Sequence, residues 1–359
     1  MSNRLHDIAW VDFKKLSIKE KIPYLIQEGG GPFHTLFAQQ FGWAEVERLT
    51  ALTNAIRKIA KTREGSLFLH SLISDKRAML YFSQPSSRTF LSFLSACQIL
   101  GIQTGEVRDT SISSEFKGES HEDSIRTFSS YFDMIIMRSP ERGLAEHMSC
   151  VLSNSERPIP IINAGSGKDQ HPTQALLDIY TLIRSFENSG GLQNRTVVFC
   201  GDLLRGRTVR SLSYLLTNYT NIRQIFVAPA QLQVAQDVVD HLAQSNVTFE
   251  LTENFKSVIP LADAIYMTRI QDEWDNIDGE SAKIDTSAFK FEEAEFKLLP
   301  PEAVILHPLP RRDEISTVVD DDPRAMYWRQ MRNGMWIRCA LIAWTFGCEG
   351  AIHDYFCDH

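Results

Sequence analysis

Apolar residues come along this chain in short unbroken runs, separated by longer stretches with helical spacing. That alternation is the mark of strands buried on both faces with amphipathic helices between them. The run AMLYF, Ala78 to Phe82, reads as such a strand. After Pro85 the positions Phe90, Leu91, Phe93, Leu94, Cys97 and Leu100 repeat at helical spacing up to Gly101. MIIMRSP, Met134 to Pro140, is a second buried strand and carries Arg138 near its end. PIINAGSGKDQHPTQALLDIYTLIRSF predicts a third strand, a glycine-rich loop and a helix opening near Pro172. TVVFCGDLLRGRTVRSLSYLL repeats the plan with a strand from Thr196 to Cys200, a turn at Gly201-Asp202 and a helix from about Arg207. IRQIFVAPA, TFELT, AIYMTRIQ and AVILHPLPR add strands with helices between them, which completes a second α/β unit.

Less regular segments frame these units. Residues 1–32 form an N-terminal extension of mixed character, with Gly29-Gly30-Gly31 read as a flexible joint. From His34 to Thr62 the positions Leu36, Phe37, Phe41, Val46, Leu49, Leu52, Ile56 and Ile59 predict two helices or one that bends at its start. EVRDTSISSEFKGESHEDSIRTFSSYF is a polar loop carrying Ser113, Lys117 and Gly118 before a helix that begins near Glu122. The acidic stretch Asp272 to Glu295 has no clear period and predicts a mobile loop. DPRAMYWRQMRNGMWIRCALIAWTFG is strongly helical with a soft point at Asn333-Gly334. The expected class is α/β with two units, each an open parallel sheet with helices between its strands, followed by a strongly helical C-terminal segment.

Composition narrows the function. With 359 residues, 43% apolar and 23% charged, the chain has the make-up of a soluble globular protein large enough for two domains. MSNRLHDIAW lacks the apolar core of a signal peptide and no apolar run is long enough for a membrane span, so a cytoplasmic protein is expected. Cys97, Cys150, Cys200, Cys339, Cys348 and Cys357 show no C-x-x-C pairing and mostly sit in apolar runs, which suits reduced thiols better than zinc. A net charge of −8 disfavours nucleic acid, and an anionic substrate would need a local cationic cluster. The glycine spacing after Cys200 is not G-x-G-x-x-G, so a nicotinamide enzyme is disfavoured too.

QPSSRTFLSF is the stretch with the clearest chemistry. It sets Ser86, Ser87, Arg88 and Thr89 at a helix N-terminus, where unpaired N–H groups and the dipole favour a phosphate and Arg88 can add a two-pronged contact. An ordinary serine cap beside a solvated arginine reads the same residues equally well. Arg138 and the glycine loop before His171 lie at the C-terminal ends of successive strands, where open α/β sheets bind ligands. His171 is either a capped structural histidine or a group that polarises a ligand.

QPSSRT, SSEFKGE, IIMRSP, NAGSGKDQHPTQALLD, GDLLRGRTVRSL, YMTRIQ, HPLPRRDEI and the NGM-x-x-R-x-AL tail occur here in that order. In order and approximate spacing this set resembles the aspartate/ornithine carbamoyltransferase family from about residue 33 to about residue 350. Arg269 and Gln271 in YMTRIQ, with Leu309-Pro310 in place of a cysteine in HPLP, point to the aspartate branch. The resemblance implies transfer of the carbamoyl group from carbamoyl phosphate to L-aspartate in pyrimidine biosynthesis, with no cofactor and no metal. It makes both units doubly wound parallel-sheet domains, with 33–170 the carbamoyl-phosphate binder, 171–334 the aspartate binder and a C-terminal helix, 335–359, that returns to the first. By the same resemblance Ser86, Ser87, Arg88 and Thr89 hold the phosphate, Arg138 reaches phosphate and carbonyl oxygen, and Thr89, Arg138 and His171 stabilise the oxyanion. Gln174 and the carbonyls of Leu309 and Pro310 orient the carbamoyl NH₂. Arg207, Arg269 and Gln271 clamp the aspartate. Ser113 and Lys117 reach a neighbouring subunit's site in a homotrimer. Regulatory or pathway-enzyme subunits stay open.

Some positions depart from the family pattern. Ser87 stands for the usual threonine of S-T-R-T and keeps its hydroxyl, and Phe116 stands where some members have a second lysine. Gln84 and Trp274 stand where a glutamate and an arginine commonly help hold the domains closed, so a different contact is expected in that role. Two other readings are a transcarbamoylase for another amine, such as ornithine, and a catalytically silent anion-binding homologue.

Overall fold

The structure, a computed structural model, describes residues 4–108, 118–167, 170–275 and 283–359. The chain forms two compact units, Met1–Thr173 with Gly334–His359, and Gln174–Asn333.

In the first unit β1 (Arg77–Phe82), β2 (Gln103–Val107), β3 (Met134–Ser139) and β4 (Ile161–Ser166) form a parallel sheet in the order β2-β1-β3-β4. β3 and β4 are buried throughout and β1 is buried after Arg77, as solid apolar runs require. The order reverses between β1 and β3, and at such a switch point the crossovers diverge and leave a crevice beyond the strands' C-terminal ends. β2 did not stand out in the sequence. QTGEV is a half-exposed edge strand, defined by its pairing with β1 and not by an apolar run. The 34–62 region resolves into a 3-10 turn, Ala38–Gln40, and a helix, Trp43–Ile59, with a further helix at Arg63–Ser71.

The N-terminal segment belongs to this unit's core. Leu5, Phe13 and Leu25 are fully buried with Met79, Ile135 and Met148. The Lys21 ammonium lies 2.6 Å from Glu146 and over the Phe13 and Phe37 rings. The Gln27 amide donates to the Gly31 carbonyl at 2.9 Å and the Gly30 amide to the Gln27 carbonyl at 3.0 Å. The glycines therefore make a hydrogen-bonded turn where a loose joint was expected.

In the second unit β5 (Thr196–Cys200), β6 (Arg223–Val227), β7 (Thr248–Thr252), β8 (Ala264–Met267) and β9 (Val304–Leu306) form a parallel sheet in the order β7-β6-β5-β8-β9. Its order reverses between β5 and β8. Val198, Ile225, Ile265, Ile305 and Phe255 form the core with Phe289 and Phe291. Those two phenylalanines anchor part of the acidic stretch expected to be mobile, and residues 276–282 of it lie outside the described residues. The helix Tyr327–Thr345 runs unbroken through Asn333-Gly334, so the soft point is not a break. The Asn333 amide donates to Thr181 Oγ1 at 3.0 Å. Among the described residues no helix is long and apolar enough to cross a membrane.

Candidate active site

Beyond β1 the chain turns through Ser83–Pro85 into the helix Ser87–Ile99. Ser86 is the N-cap residue in an extended conformation, and its hydroxyl caps none of the first-turn amides. Those amides carry the positive end of the helix dipole. Ser87 and Arg88 are exposed, and Thr89 is buried. Arg138 pairs with Phe82 across β1 and β3 and is buried. Its Nη1 donates to the Ala164 carbonyl at 3.0 Å, and its own carbonyl accepts from the Gln84 amide and the Ser83 hydroxyl, each at 3.3 Å. One residue thus ties together the C-terminal ends of β1, β3 and β4.

His171 is also buried, with Nδ1 3.5 Å from the Thr173 hydroxyl. The loop before it is held from both ends. Asn163 Oδ1 accepts from the Gly165 amide at 2.8 Å, and Gln170 Oε1 accepts from the Ala38 amide at 2.8 Å. Gly167 has φ +42°, and a Cβ there would lie 2.8 Å from the Pro140 carbonyl oxygen, so the loop requires glycine. Ser113, Phe116 and Lys117 lie outside the described residues, as does the side chain of Trp274.

In the second unit Gln174 donates through Nε2 to Asp178 Oδ1 at 2.9 Å. Asp178 also accepts from Gln330 Nε2 at 2.6 Å and from the Tyr266 hydroxyl at 2.7 Å. This orients the Gln174 amide and leaves its oxygen as the acceptor. After β5, Gly201 has φ +120°, and a Cβ there would fall 2.0 Å from the Thr268 carbonyl oxygen. Only glycine lets the ends of β5 and β8 come this close.

Arg207 opens the helix Arg207–Leu216. Burial pulls its guanidinium down to about 10, against the opposing charge of Glu273. Arg269 follows β8 and grips Glu273 with both terminal nitrogens, Nη1 at 2.8 Å from Oε2 and Nη2 paired with Oε1. The Gln271 amide donates to Asp202 Oδ2 at 3.1 Å. Beyond β9, Leu309 has φ +54° and the Leu309–Pro310 peptide is cis. The Leu309 amide donates to His307 Nδ1 at 2.8 Å, so His307 Nε2 carries the proton it shares with Glu314 at 2.7 Å. Burial raises the Glu314 carboxyl, but the hydrogen bond and charge of His307, with backbone N–H donors, outweigh it and hold the group below its ordinary value.

Ser86 to Thr89, Arg138 and His171 therefore stand at strand ends of the first unit, and Gln174, Arg207, Arg269, Gln271, Leu309 and Pro310 belong to the second. Sequence reasoning gave no role to Asp178, Asp202, Glu273, His307 or Glu314. Glu273 lies four residues after Arg269 and Asp202 follows the turn glycine, but their tasks emerge only where β5 and β8 come together.

Two family models match the chain. "Aspartate/ornithine carbamoyltransferase, carbamoyl-P binding domain" covers residues 34–184, and "Aspartate/ornithine carbamoyltransferase, Asp/Orn binding domain" covers 193–345. The chloroplastic aspartate carbamoyltransferase of Arabidopsis thaliana is 39% identical over 300 residues, 82% of this chain and 74% of that protein. The aspartate carbamoyltransferase catalytic subunit of Finegoldia magna is 38% identical over 302 residues, 84% of this chain and 95% of that one. Among solved structures, the aspartate transcarbamoylase of Trypanosoma cruzi in complex with carbamoyl aspartate and phosphate is similar with a TM-score of 0.78 at 35% identity, over 87% of this chain and 95% of that one. The catalytic subunit of M. jannaschii aspartate transcarbamoylase gives 0.76 at 34%, over 86% and 96%. Matched along most of its length by both domain models and by these relatives, the chain belongs to the aspartate/ornithine carbamoyltransferase family, in its aspartate carbamoyltransferase branch.

Proposed function

We propose that this protein transfers the carbamoyl group of carbamoyl phosphate to the α-amine of L-aspartate, giving N-carbamoyl-L-aspartate and phosphate. The observation that carries this reading is the arginine pair of the second unit. Arg269 already grips a carboxylate, that of Glu273, and Arg207 lies in the field of the same group. A second carboxylate supplied by the substrate is what such a pair accommodates. A cationic acceptor such as ornithine would face the two guanidinium groups.

In the proposed chemistry Ser86, Ser87, Arg88 and Thr89 hold the phosphate through hydroxyls, first-turn amides and one guanidinium. The carbonyl oxygen gains charge as the amine attacks, and Thr89, Arg138 and His171 stabilise it. Gln174 Oε1 and the carbonyls of Leu309 and Pro310 accept from the carbamoyl NH₂, which can only donate. Arg207, Arg269 and Gln271 fix the aspartate so that its amine meets the face of the carbonyl carbon. The C–O bond to phosphate then breaks, and the departing phosphate takes the proton from the amine, so neither a cofactor nor a side-chain base is required. In the cell the product feeds pyrimidine biosynthesis.

We extend the proposal to a cytoplasmic homotrimer in which Ser113 and Lys117 complete a neighbour's site. Mixing inactive K117A and R88A chains should then restore part of the activity in hybrid trimers, and a verified hybrid with none would refute shared sites. The function itself is tested by turnover on a panel of acceptors. L-aspartate should exceed L-ornithine in kcat/KM by orders of magnitude. A preference for ornithine, or no turnover with any amine, refutes it.

A further inference from the structure

Arg205 stands two residues before Arg207 in GDLLRGR and is almost wholly buried, at 9% exposure. Its guanidinium touches acceptors on two separate loops. Nη1 lies 2.9 Å from Asp275 Oδ1 and 3.7 Å from Asp202 Oδ2, and it approaches the Gln271 carbonyl at 3.3 Å. Asp202 closes the circuit. Its Oδ1 accepts from the Arg205 amide and its Oδ2 from the Gln271 amide, each at 3.1 Å. One step along the chain, the Arg207 amide donates to the Arg205 carbonyl at 2.9 Å. The side chains of Asp202 and Asp275 are 0% and 6% exposed, so the cation is enclosed between two buried carboxylates. Such a set holds its geometry tightly, because loosening it would leave a buried charge unpaired. The Arg312 pair with Asp272 also braces this segment, but both partners are about half exposed, where an ion pair contributes little.

What the circuit joins gives it a consequence for the reaction. Arg207 follows β5, and Arg269 and Gln271 follow β8. Pairing between the two strands ends at Cys200 and Met267, and the Gly201–Thr268 contact holds the first residues beyond it, so the farther reach of the two loops needs another tie. Arg205 links them, its backbone amide held by Asp202 after β5 while its Nη1 reaches Asp275 and the Gln271 carbonyl after β8. The distance between two carboxylate clamps is in turn a measure of the dicarboxylate they accept.

Resting on the proposed aspartate site, we infer that Arg205, anchored by Asp275, is a positioning residue that sets the spacing of Arg207 against the Arg269–Gln271 segment and thereby selects a four-carbon dicarboxylate over its five-carbon homologue. The test is equilibrium binding of succinate and glutarate to the full-length protein in the presence of carbamoyl phosphate, with melting temperature recorded beside it. The unmodified chain prefers succinate. D275N removes one anchor and leaves the guanidinium in place; succinate should bind about tenfold more weakly and the preference over glutarate should shrink by a similar factor. The KM for carbamoyl phosphate should not move. D275E, which keeps the charge but displaces it by a methylene, decides the matter if D275N fails to fold. Equal binding of the two diacids by the unmodified chain overturns the inference, as does a preference unchanged in a variant with a lowered melting temperature. Failure of the proposed function looks different: no carbamoyl aspartate is formed, whichever diacid is bound.

Discussion

Arg138 and Arg269 are both arginines at strand ends, yet their surroundings predict opposite kinetic failures. Arg138 is buried and tied to the Ala164 carbonyl, so it offers a fixed donor to charge that develops during reaction. R138A and H171A should lower kcat by about 10²- to 10³-fold with little change in the KM for aspartate. Arg269 instead holds a carboxylate in the resting protein, an interaction that ground state and transition state share. R269A should raise the KM for aspartate by roughly ten- to a hundredfold, as expected for a lost charged hydrogen bond of about 1.5–3 kcal/mol. Steady-state kinetics of the three variants separates the two cases, and an unchanged aspartate KM in R269A would remove Arg269 from the site. Arg138 and His171 were legible in the sequence because each sits beyond a strand next to a turn or loop, whereas Arg269 entered only through the family resemblance. Asp178 was not, since its partners Gln174, Tyr266 and Gln330 come from three separated segments.

The strand-end turns are the elements on which the site depends, and Gly201 is their tightest point. Its φ of +120° and the 2.0 Å separation from the Thr268 carbonyl oxygen admit no side chain. G201A should cost about 2 kcal/mol or more and loosen the Arg207 and Arg269 loops together. Thermal melting and aspartate saturation check both effects, and a variant with the parent's melting temperature and KM would show that the contact is not needed. At this scale legibility followed burial. Of the nine strands among the described residues, six were read from apolar runs that only a doubly covered strand allows: β1, β3, β4, β5, β8 and β9. The exposed edge strand β2 carried no such signal, and the acidic stretch looked structureless because its apolar anchors Phe289 and Phe291 are few and its acids find their partners on other segments.

For the molecule as a whole, net charge is −8, while Arg88, Arg138, Arg207 and Arg269 stand at the strand ends. The proposed substrates are anions, and these arginines supply local positive charge against the overall field. The fold also carries a built-in acid sensitivity. His34 is wholly buried, with Nδ1 accepting from the Ile161 amide at 3.0 Å and Nε2 2.9 Å from the Ser153 hydroxyl. Burial lowers its pKa to about 3 from an ordinary 6.5. Between those values the unfolded chain binds a proton that the folded one refuses. Stability from this group is thus complete above about pH 6.5 and is lost as pH falls, at about 1.4 kcal/mol per pH unit. Denaturant titrations from pH 7 to 4 should show that slope flattened in H34Q. A parent-like slope in H34Q would place the acid sensitivity elsewhere. The core role of residues 5–25 was invisible in the sequence, because the cluster that buries Leu5, Phe13 and Leu25 includes Met79, Ile135 and Met148, more than fifty residues away. The return of the C-terminal residues to the first unit was expected only through the family resemblance.

The central claim is carbamoyl transfer to aspartate, and the most direct measurement follows the carbonyl carbon itself. Purified protein is given ¹³C-carbamoyl phosphate and L-aspartate, and the label is tracked by NMR while phosphate is assayed in parallel. The account predicts that the label moves into the ureido carbon of N-carbamoyl-L-aspartate, one phosphate appears per carbamoyl group, and R138A slows both together. Release of phosphate with the label going to carbonate or cyanate, or transfer that occurs only with another amine, would contradict it.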